Sequence, residues 1–372
     1  MTPSKARAKS LSQGPVGLKD IARELGISIG TVARALHGKY GVSAATQARV
    51  LEVAEKLDYR PNMAARYLQS GKRFRVAVHL PNRVALFWDA LREGIREAAA
   101  PLGPTLHLEF QTYPRFGDGD VPLIQRAIAD GVDGLIISPG NPTALAPHLE
   151  EAARRGIPVV CVVTDAPSSP RLVSVSADSF TVGAMAGELL GRFLPTGGEV
   201  GFFTGWLTTQ DHADKFRGFV TSLSRVNPSL TLGPVVEAHD DEGEADRRAR
   251  EALRAHPRLA GLYISTSNSM PVLRAAEREG RLAGLTVVTT DLFPELAELI
   301  RAGRVAATVY QRPLTQGRTA LLTLYECLQS GRRPAADHRV SPHLVMRSNL
   351  DLVLERISAD GGGVRSGAAL RA

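Results

Sequence analysis

Residues 18–57 read LKDIARELGISIGTVARALHGKYGVSAATQARVLEVAEKL, and the spacing of their apolar side chains predicts three short helices in succession. Leu18, Ile21, Ala22 and Leu25 share one helical face that stops at Gly26. Ser28 stands where a hydroxyl caps a second helix, whose apolar stripe is Val32, Ala35 and Leu36 and which ends near His37-Gly38. Ser43 stands likewise before a third helix that turns Val50, Val53, Ala54 and Leu57 inward. The stretch Asp58-Tyr59-Arg60-Pro61 closes it, because the residue before a proline disfavours helix. The first two helices, joined through Gly26-Ile27, make a helix-turn-helix in which a tight turn sets the second helix across the first.

Charge is distributed unevenly around this segment. Residues 1–75 hold 14 Lys or Arg against 5 Asp or Glu, whereas the remaining 297 residues hold 31 against 33. A basic head on a near-neutral body predicts a polyanionic partner at that end. Residues 1–16 are rich in Ser, Lys, Gly and Pro without periodicity, and read as a disordered arm lacking the apolar core of a secretory signal. No stretch approaches the roughly 18 uninterrupted apolar residues of a membrane span. With hydrophobic residues at 44% and charged residues at 22%, a cytoplasmic globular protein is expected. Cys161 and Cys327 are too few and too far apart for a disulfide framework, so buried reduced thiols are expected.

Beyond Phe74 the texture changes to short β-branched runs alternating with amphipathic helices. Strands are predicted at 75–80, 106–111, 134–138, 158–163, 200–204, 234–238, 261–265, 286–290 and 307–311, with helices at 88–99, 121–130, 144–155, 180–193 and 270–279 among them. Such alternation predicts doubly wound parallel sheets, and nine or so strands over about 275 residues fit two lobes better than one sheet. The expected organisation is a disordered arm at 1–16, an all-α helix-turn-helix head at 17–60, a hinge helix and linker at 61–73, an α/β two-lobed body at 74–355, and a disordered Gly- and Ala-rich tail at 356–372.

The second head helix exposes Ile29, Gly30 and Thr31 at its start and Arg34 one turn later, a face narrow enough for a DNA major groove. Arg34 has the donors to grip a guanine edge or a phosphate, and Ser28 and Thr31 are short donors suited to phosphate. LKDIARELGIS, then IGTVARALHGK, then GVS, then LDYRPNMAARYLQSGK make residues 18–72 resemble the head and hinge of LacI/GalR transcriptional regulators nearly end to end. The resemblance implies DNA contacts from Ser28, Ile29, Thr31, Arg34, His37, Tyr59, Asn62, Ala65 and Leu68. It also implies that residues 61–68 form a hinge helix only on DNA, pairing with a second copy in the minor groove, where Leu68 wedges between base pairs. The chain departs from the family at Ile29, Gly30 and Ala33, where polar or larger side chains are usual, which shifts base reading toward Arg34, the hinge and DNA shape.

The order of elements after Phe74 resembles the family's type I periplasmic-binding-protein-like effector domain, whose ligands sit between lobes at the carboxyl ends of strands. Marks of the resemblance are Phe87-Trp88 before a helix, Asp178 before a Gly- and Ala-rich helix, Lys215-Phe216-Arg217-Gly218-Phe219, the strand 287–291 ending in Asp, and residues 306–313. It implies an effector site containing Phe87, Trp88, Thr164, His212, Ser267, Asp291 and Gln311. Aromatic rings suit the C–H faces of a sugar, and carboxylates and amides bridge its hydroxyls. For Asp291, a cap on the helix behind it is an equally open reading. Ala213 replaces an arginine frequent in ribose-type relatives, and Val163-Thr164-Asp165 replaces an Asp-Arg pair, so sugars, polyols and cyclitols other than ribose are all open.

No dinucleotide or phosphate-loop glycine pattern, no metal-ligand spacing of the nine His, and no Gly-x-Ser-x-Gly elbow occurs. The reading is therefore a non-enzymatic, cofactor-free homodimeric repressor of a pseudo-palindromic operator, controlled by a small sugar or polyol. A solute carrier built on the same body, or an enzyme with an added DNA-binding head, are the rival classes.

Overall fold

The computed structural model describes residues 17–36, 41–57, 73–82, 84–114 and 118–359. The expected arm, the hinge at 61–72, most of the tail, and His37, Tyr59, Asn62, Ala65 and Leu68 lie outside the described residues. The head and the body are separate units and are taken in turn.

In the head, α1 (Leu18–Leu25), α2 (Ile29–Leu36) and α3 (Ala44–Lys56) close on a core of Ile21, Ala22, Val32, Ala35, Val50 and Ala54. Each boundary has a local cause. Asp20 reaches back to accept from the Gly17 backbone N–H at 2.9 Å, which starts α1. Gly26 ends it in the left-handed region at φ 65°, where its N–H caps the Ala22 carbonyl. Ser28 Oγ accepts from the Thr31 N–H at 3.0 Å, and Ser43 Oγ accepts from the Thr46 N–H at 3.2 Å, so the same capping chemistry opens α2 and α3.

The body holds two six-stranded sheets. The first contains β1 (Phe74–Pro81), β2 (Leu106–Tyr113), β3 (Gly134–Ile137), β4 (Val159–Val162), β5 (Val173–Ala177) and β11 (His338–Val340), in the order β11-β5-β4-β3-β1-β2, all parallel. The second contains β6 (Gly198–Thr204), β7 (Leu230–Glu237), β8 (Leu259–Ile264), β9 (Thr286–Thr290), β10 (Ala307–Tyr310) and β12 (His343–Val345), in the order β12-β10-β9-β8-β6-β7, with only β12 antiparallel. The chain crosses between sheets three times: after β5 at Asp178, after β10 at Gln311-Arg312, and between β11 and β12 at Ser341-Pro342.

Helices cover both faces of each sheet, as strands buried on two sides require. On the first sheet, α4 (Ala85–Ala99) and α12 (Pro313–Ser330) cover Val76, Val78 and Leu80, while α5 (Asp120–Ala129) and α6 (Pro142–Arg154) cover Ala77 and Leu135. On the second, α7 (Ser179–Phe193) and α8 (Gln210–Val226) cover Phe202 and Tyr263. The opposite face packs against α9 (Glu242–Ala255), α10 (Met270–Arg278), α11 (Pro294–Arg301) and α13 (Leu350–Ala359).

The two-lobed parallel architecture agrees with the reading of the sequence, with instructive differences. β5, reading VSVSA, was not predicted because its alternating serines mimic a surface strand, yet all five residues are buried. The run expected at 234–238 is the second half of β7, which begins at Leu230. Gly233-Pro234 interrupts the pattern, and the register with β6 shifts there, an irregularity that an edge strand tolerates. β11 and β12 are three residues each, too short to show a period. α13 runs to Ala359, past the expected end of the body at 355. Both cysteines are free; Cys161 is buried as expected, but Cys327 is only partly so. No helix among the described residues is long and apolar enough to cross a membrane.

Candidate functional site

The head presents one polar, exposed face at the start of α2. Ser28, Ile29 (43% exposed), Gly30 and Arg34 are all exposed, while Val32 and Ala35 on the opposite side are buried. The Ser28 and Thr31 hydroxyls lie 2.8 Å apart, so capping holds both at the helix start, beside backbone N–H groups that lack helical partners. Of the predicted DNA contacts within the described residues, Ser28, Ile29 and Thr31 therefore stand at the start of α2, and Arg34 is exposed in its last turn.

In the body a cleft of about 350 Å³ opens where strand ends of the two sheets face each other. The first lobe contributes Val84, Phe87 and Trp88 from the start of α4, and Val163 after β4. The Phe87 and Trp88 rings meet edge to face with centroids 5.0 Å apart. The second lobe contributes Asp211, His212 and Lys215 from α8, Asp240 after β7, and Thr266 and Ser267 after β8, with Gln311 at the crossover.

Hydrogen bonds behind the cleft decide what each group offers. Asp291, 3% exposed, accepts from the Gln311 N–H at 3.1 Å, from Gln311 Nε2 at 2.8 Å, and from Ser267 Oγ. Ser267 thus gives its proton away and keeps an accepting oxygen, and Gln311 keeps its amide oxygen. Burial pushes the Asp291 carboxyl above the usual range, opposed by these donors and by the charge of Lys215. Asp291 does not cap α11, whose N-cap is Phe293. It orients two lining residues and is not itself part of the wall.

At the strand ends, Ser265 Oγ after β8 donates to Thr204 Oγ1 of β6 at 2.8 Å, and Thr204 Oγ1 lies 2.8 Å from Nδ1 of His212 on α8. The Thr204 hydroxyl thus links Ser265 to the His212 ring and fixes the orientation of the imidazole at the cleft. Burial lowers the His212 pKa, against the pull of Asp211, and so favours the neutral ring. Lys215 Nζ is 3.3 Å from Asp211 Oδ2, with both side chains almost fully buried. Burial works to raise the Asp211 pKa, but the charge and hydrogen bond of Lys215 oppose it and the carboxyl lies below its ordinary value. Asp240 accepts from Thr266 Oγ1 at 2.7 Å.

Backbone strain concentrates here. Among the described residues, the non-glycine positions with positive φ are Val84, Val163, His239, Asp240, Asp291 and Arg312. Three line the cleft and Asp291 stands behind it. Each left-handed residue costs about 1–2 kcal/mol and persists only where the surroundings dictate it.

Of the residues expected at an effector site, Phe87, Trp88, His212, Ser267 and Gln311 line this cleft. Thr164 is a correction. The chain turns at Val163, φ 69°, so Val163 lines the cleft and Thr164 is buried at 1% exposed. Asp165 points away to Arg171, which also grips Asp337 at 2.9 Å. Asp211, Lys215, Asp240 and Thr266 were missed. The spacing of Asp211, His212 and Lys215 on one helical face was a legible signal. Asp240 stands in the acidic run Asp240-Asp241-Glu242 ahead of α9; Asp241 caps that helix, accepting from the Glu244 N–H at 2.9 Å, whereas Asp240 takes the left-handed region at φ 50° and lines the cleft.

Residues 17–62 match the bacterial regulatory proteins of the lacI family, and residues 76–333 match the periplasmic binding protein domain family. Catabolite control protein A of Staphylococcus aureus is 30% identical over 273 residues, covering 71% of this chain and 78% of the relative. Its namesake from Priestia megaterium is 26% identical over 268 residues, with 71% and 78% covered. A glucose-galactose binding protein from Geobacillus stearothermophilus superposes with TM-score 0.69 at 26% identity, over 75% of this chain and 99% of that one. A solute binding protein from Bacillus halodurans with bound myo-inositol gives TM-score 0.70 at 18% identity, over 78% and 98%, a likeness of fold alone.

Proposed function

The chain belongs to the LacI family of bacterial regulatory proteins, as a DNA-binding regulator with a body built like the sugar-binding proteins, and from that premise we propose that it is an effector-controlled repressor. Its operator affinity is set by a small sugar or polyol held between the lobes. The observation that carries this reading is the Asp291 cluster. One buried carboxylate orients Ser267 and Gln311 toward a cleft whose other wall is Phe87 and Trp88. Aromatic faces on one side and fixed polar groups on the other suit a ring of C–H bonds and hydroxyls.

Charge narrows the ligand. Asp211, Asp240 and Asp291 lie in or behind the cleft, and its cation, Lys215, is already paired with Asp211. A phosphorylated or carboxylated sugar would meet carboxylates without a spare cation, whereas a neutral sugar or polyol meets hydrogen-bonding partners. A ligand touching both walls favours the closed arrangement of the lobes, and affinity for DNA changes to the extent that closed and open bodies differ in it. In this reading two copies act together, reading a pseudo-palindromic operator with Arg34 in the major groove and Leu68 of each hinge in the minor groove. The protein works in the cytoplasm, where its DNA is.

The test is fluorescence anisotropy with duplex DNA from the chain's own upstream region, against a panel of neutral sugars and polyols. Tight binding to one palindrome, shifted at least tenfold by one neutral compound, is the expected result. Binding no better than to random duplex under every condition would refute the operator reading. Tight binding shifted only by phosphorylated sugars would refute the neutral-ligand assignment and spare the rest.

A further inference from the structure

A second recess, about 570 Å³ and open to solvent, lies on the far side of the crossover, where β10 ends, α12 begins and α13 passes. Its polar lining is cationic. Arg312, at φ 59° on the crossover itself, faces it together with Arg356 of α13 and His343 of β12. Among the described residues, neither guanidinium is paired with a carboxylate. Arg301 nearby shows the ordinary alternative, bridged to Glu298 and Asp351 at 2.6 Å each. Burial, then Arg312 and Arg356, hold the His343 imidazole below the usual histidine range, so the ring stays neutral beside two positive charges. The first turn of the 18-residue α12 opens at the same place and adds backbone N–H groups without helical partners.

Two like charges gathered in one concavity with no counter-charge are unfavourable unless an anion joins them. We propose that this recess binds a small phosphate-bearing molecule, its phosphate between Arg312 and Arg356. Two guanidinium forks and a helix start offer more donors than the two oxygens of a carboxylate can accept, and a phosphate monoester brings three. Leu314, Val353 and Ile357 line the remainder, so the ligand carries a carbon body as well as the phosphate. This site is distinct from the interlobe cleft, although Arg312 directly follows Gln311 of that cleft.

The test is isothermal titration calorimetry on the full chain at constant ionic strength, with inorganic phosphate, phenyl phosphate and benzoate. Phenyl phosphate is expected to bind at one site per chain, more tightly than either of the others. Arg356→Gln, at an exposed position of α13 where the fold is not at stake, and Arg312→Gln should each weaken it at least tenfold. Ser267→Ala, in the cleft, should leave it within twofold. No binding of either phosphate, equal binding by the wild type and Arg356→Gln, benzoate as tight as phenyl phosphate, or loss with Ser267→Ala would each overturn the proposal.

Discussion

Arg34 sits on the exposed side of α2, one turn beyond Gly30, which has no side chain to offer a base. With Ile29 limited to apolar contact, the proposed operator reading leaves the guanidinium as the main direct reader in this head. Arg34→Ala is expected to weaken operator binding by about 1–3 kcal/mol and to relax preference at one base pair in each half-site; anisotropy on a set of single-base operator variants checks both. His79 offers a different single-residue experiment. It is 1% exposed on β1, and neither ring nitrogen has a hydrogen-bond partner among the described residues. Burial lowers its pKa to about 4, against a smaller opposing pull from Glu109. The folded state therefore favours the neutral ring: the stability is fully present above the unfolded value of 6.5 and is lost as pH falls from there to about 4. At 1.36 kcal/mol per unit the loss amounts to about 3 kcal/mol. Urea unfolding at pH 7.0, 5.5 and 4.5 should show His79→Leu losing that much less than the wild type; parallel curves would remove His79 from the account.

At the scale of elements, the two lobes are built on a shared device. In each, a crossover helix packs backbone to backbone on the first helix of the lobe. α12 meets α4, and α7 meets α8, through glycines that leave no room for a side chain. A Cβ at Gly317 would stand 2.1 Å from the Leu91 carbonyl oxygen, and one at Gly183 would stand 1.9 Å from the carbonyl oxygen of Lys215. No rotamer relieves a clash with backbone, so Gly183→Ala should destabilise the body by about 3 kcal/mol or more, at the upper end of overpacking costs. A change below about 0.5 kcal/mol in urea unfolding would show that the two helices can part freely, which contradicts close packing as their basis. The pairing also explains why α8 presents Lys215, His212 and Asp211 so firmly: the helix is clamped along the backbone of Lys215 itself.

For the whole molecule, the basic excess resides in residues 1–75, and the body is near neutral. Operator binding should therefore weaken steeply with salt, by about 10³-fold between 50 and 200 mM for six phosphate contacts, while effector binding in the cleft responds little. Measuring both titrations on one preparation separates the two sites. A flat salt dependence of DNA binding would mean that the basic head is not the contacting surface.

How much of this was legible beforehand depends on the distance over which each interaction acts. The head was readable because its determinants are local. Ser28 and Ser43 cap helices three residues ahead, Gly26 supplies the left-handed turn, and the apolar positions repeat within 40 residues. The strand–helix alternation of the body, and with it the two-lobed class, followed from period alone. Which sheet each strand joins did not, because the three crossovers are settled by pairing between residues as far apart as Val175 and His338. The cleft lay between these cases. Phe87, Trp88, His212, Ser267 and Gln311 were placed at the cleft by family resemblance, but only tertiary structure put Asp291 behind the wall, Val163 in place of Thr164 on the lining, and Asp240 among the lining residues. Those outcomes rest on the sign of φ at single residues and on burial against the other lobe, and neither quantity is carried by the residue types themselves.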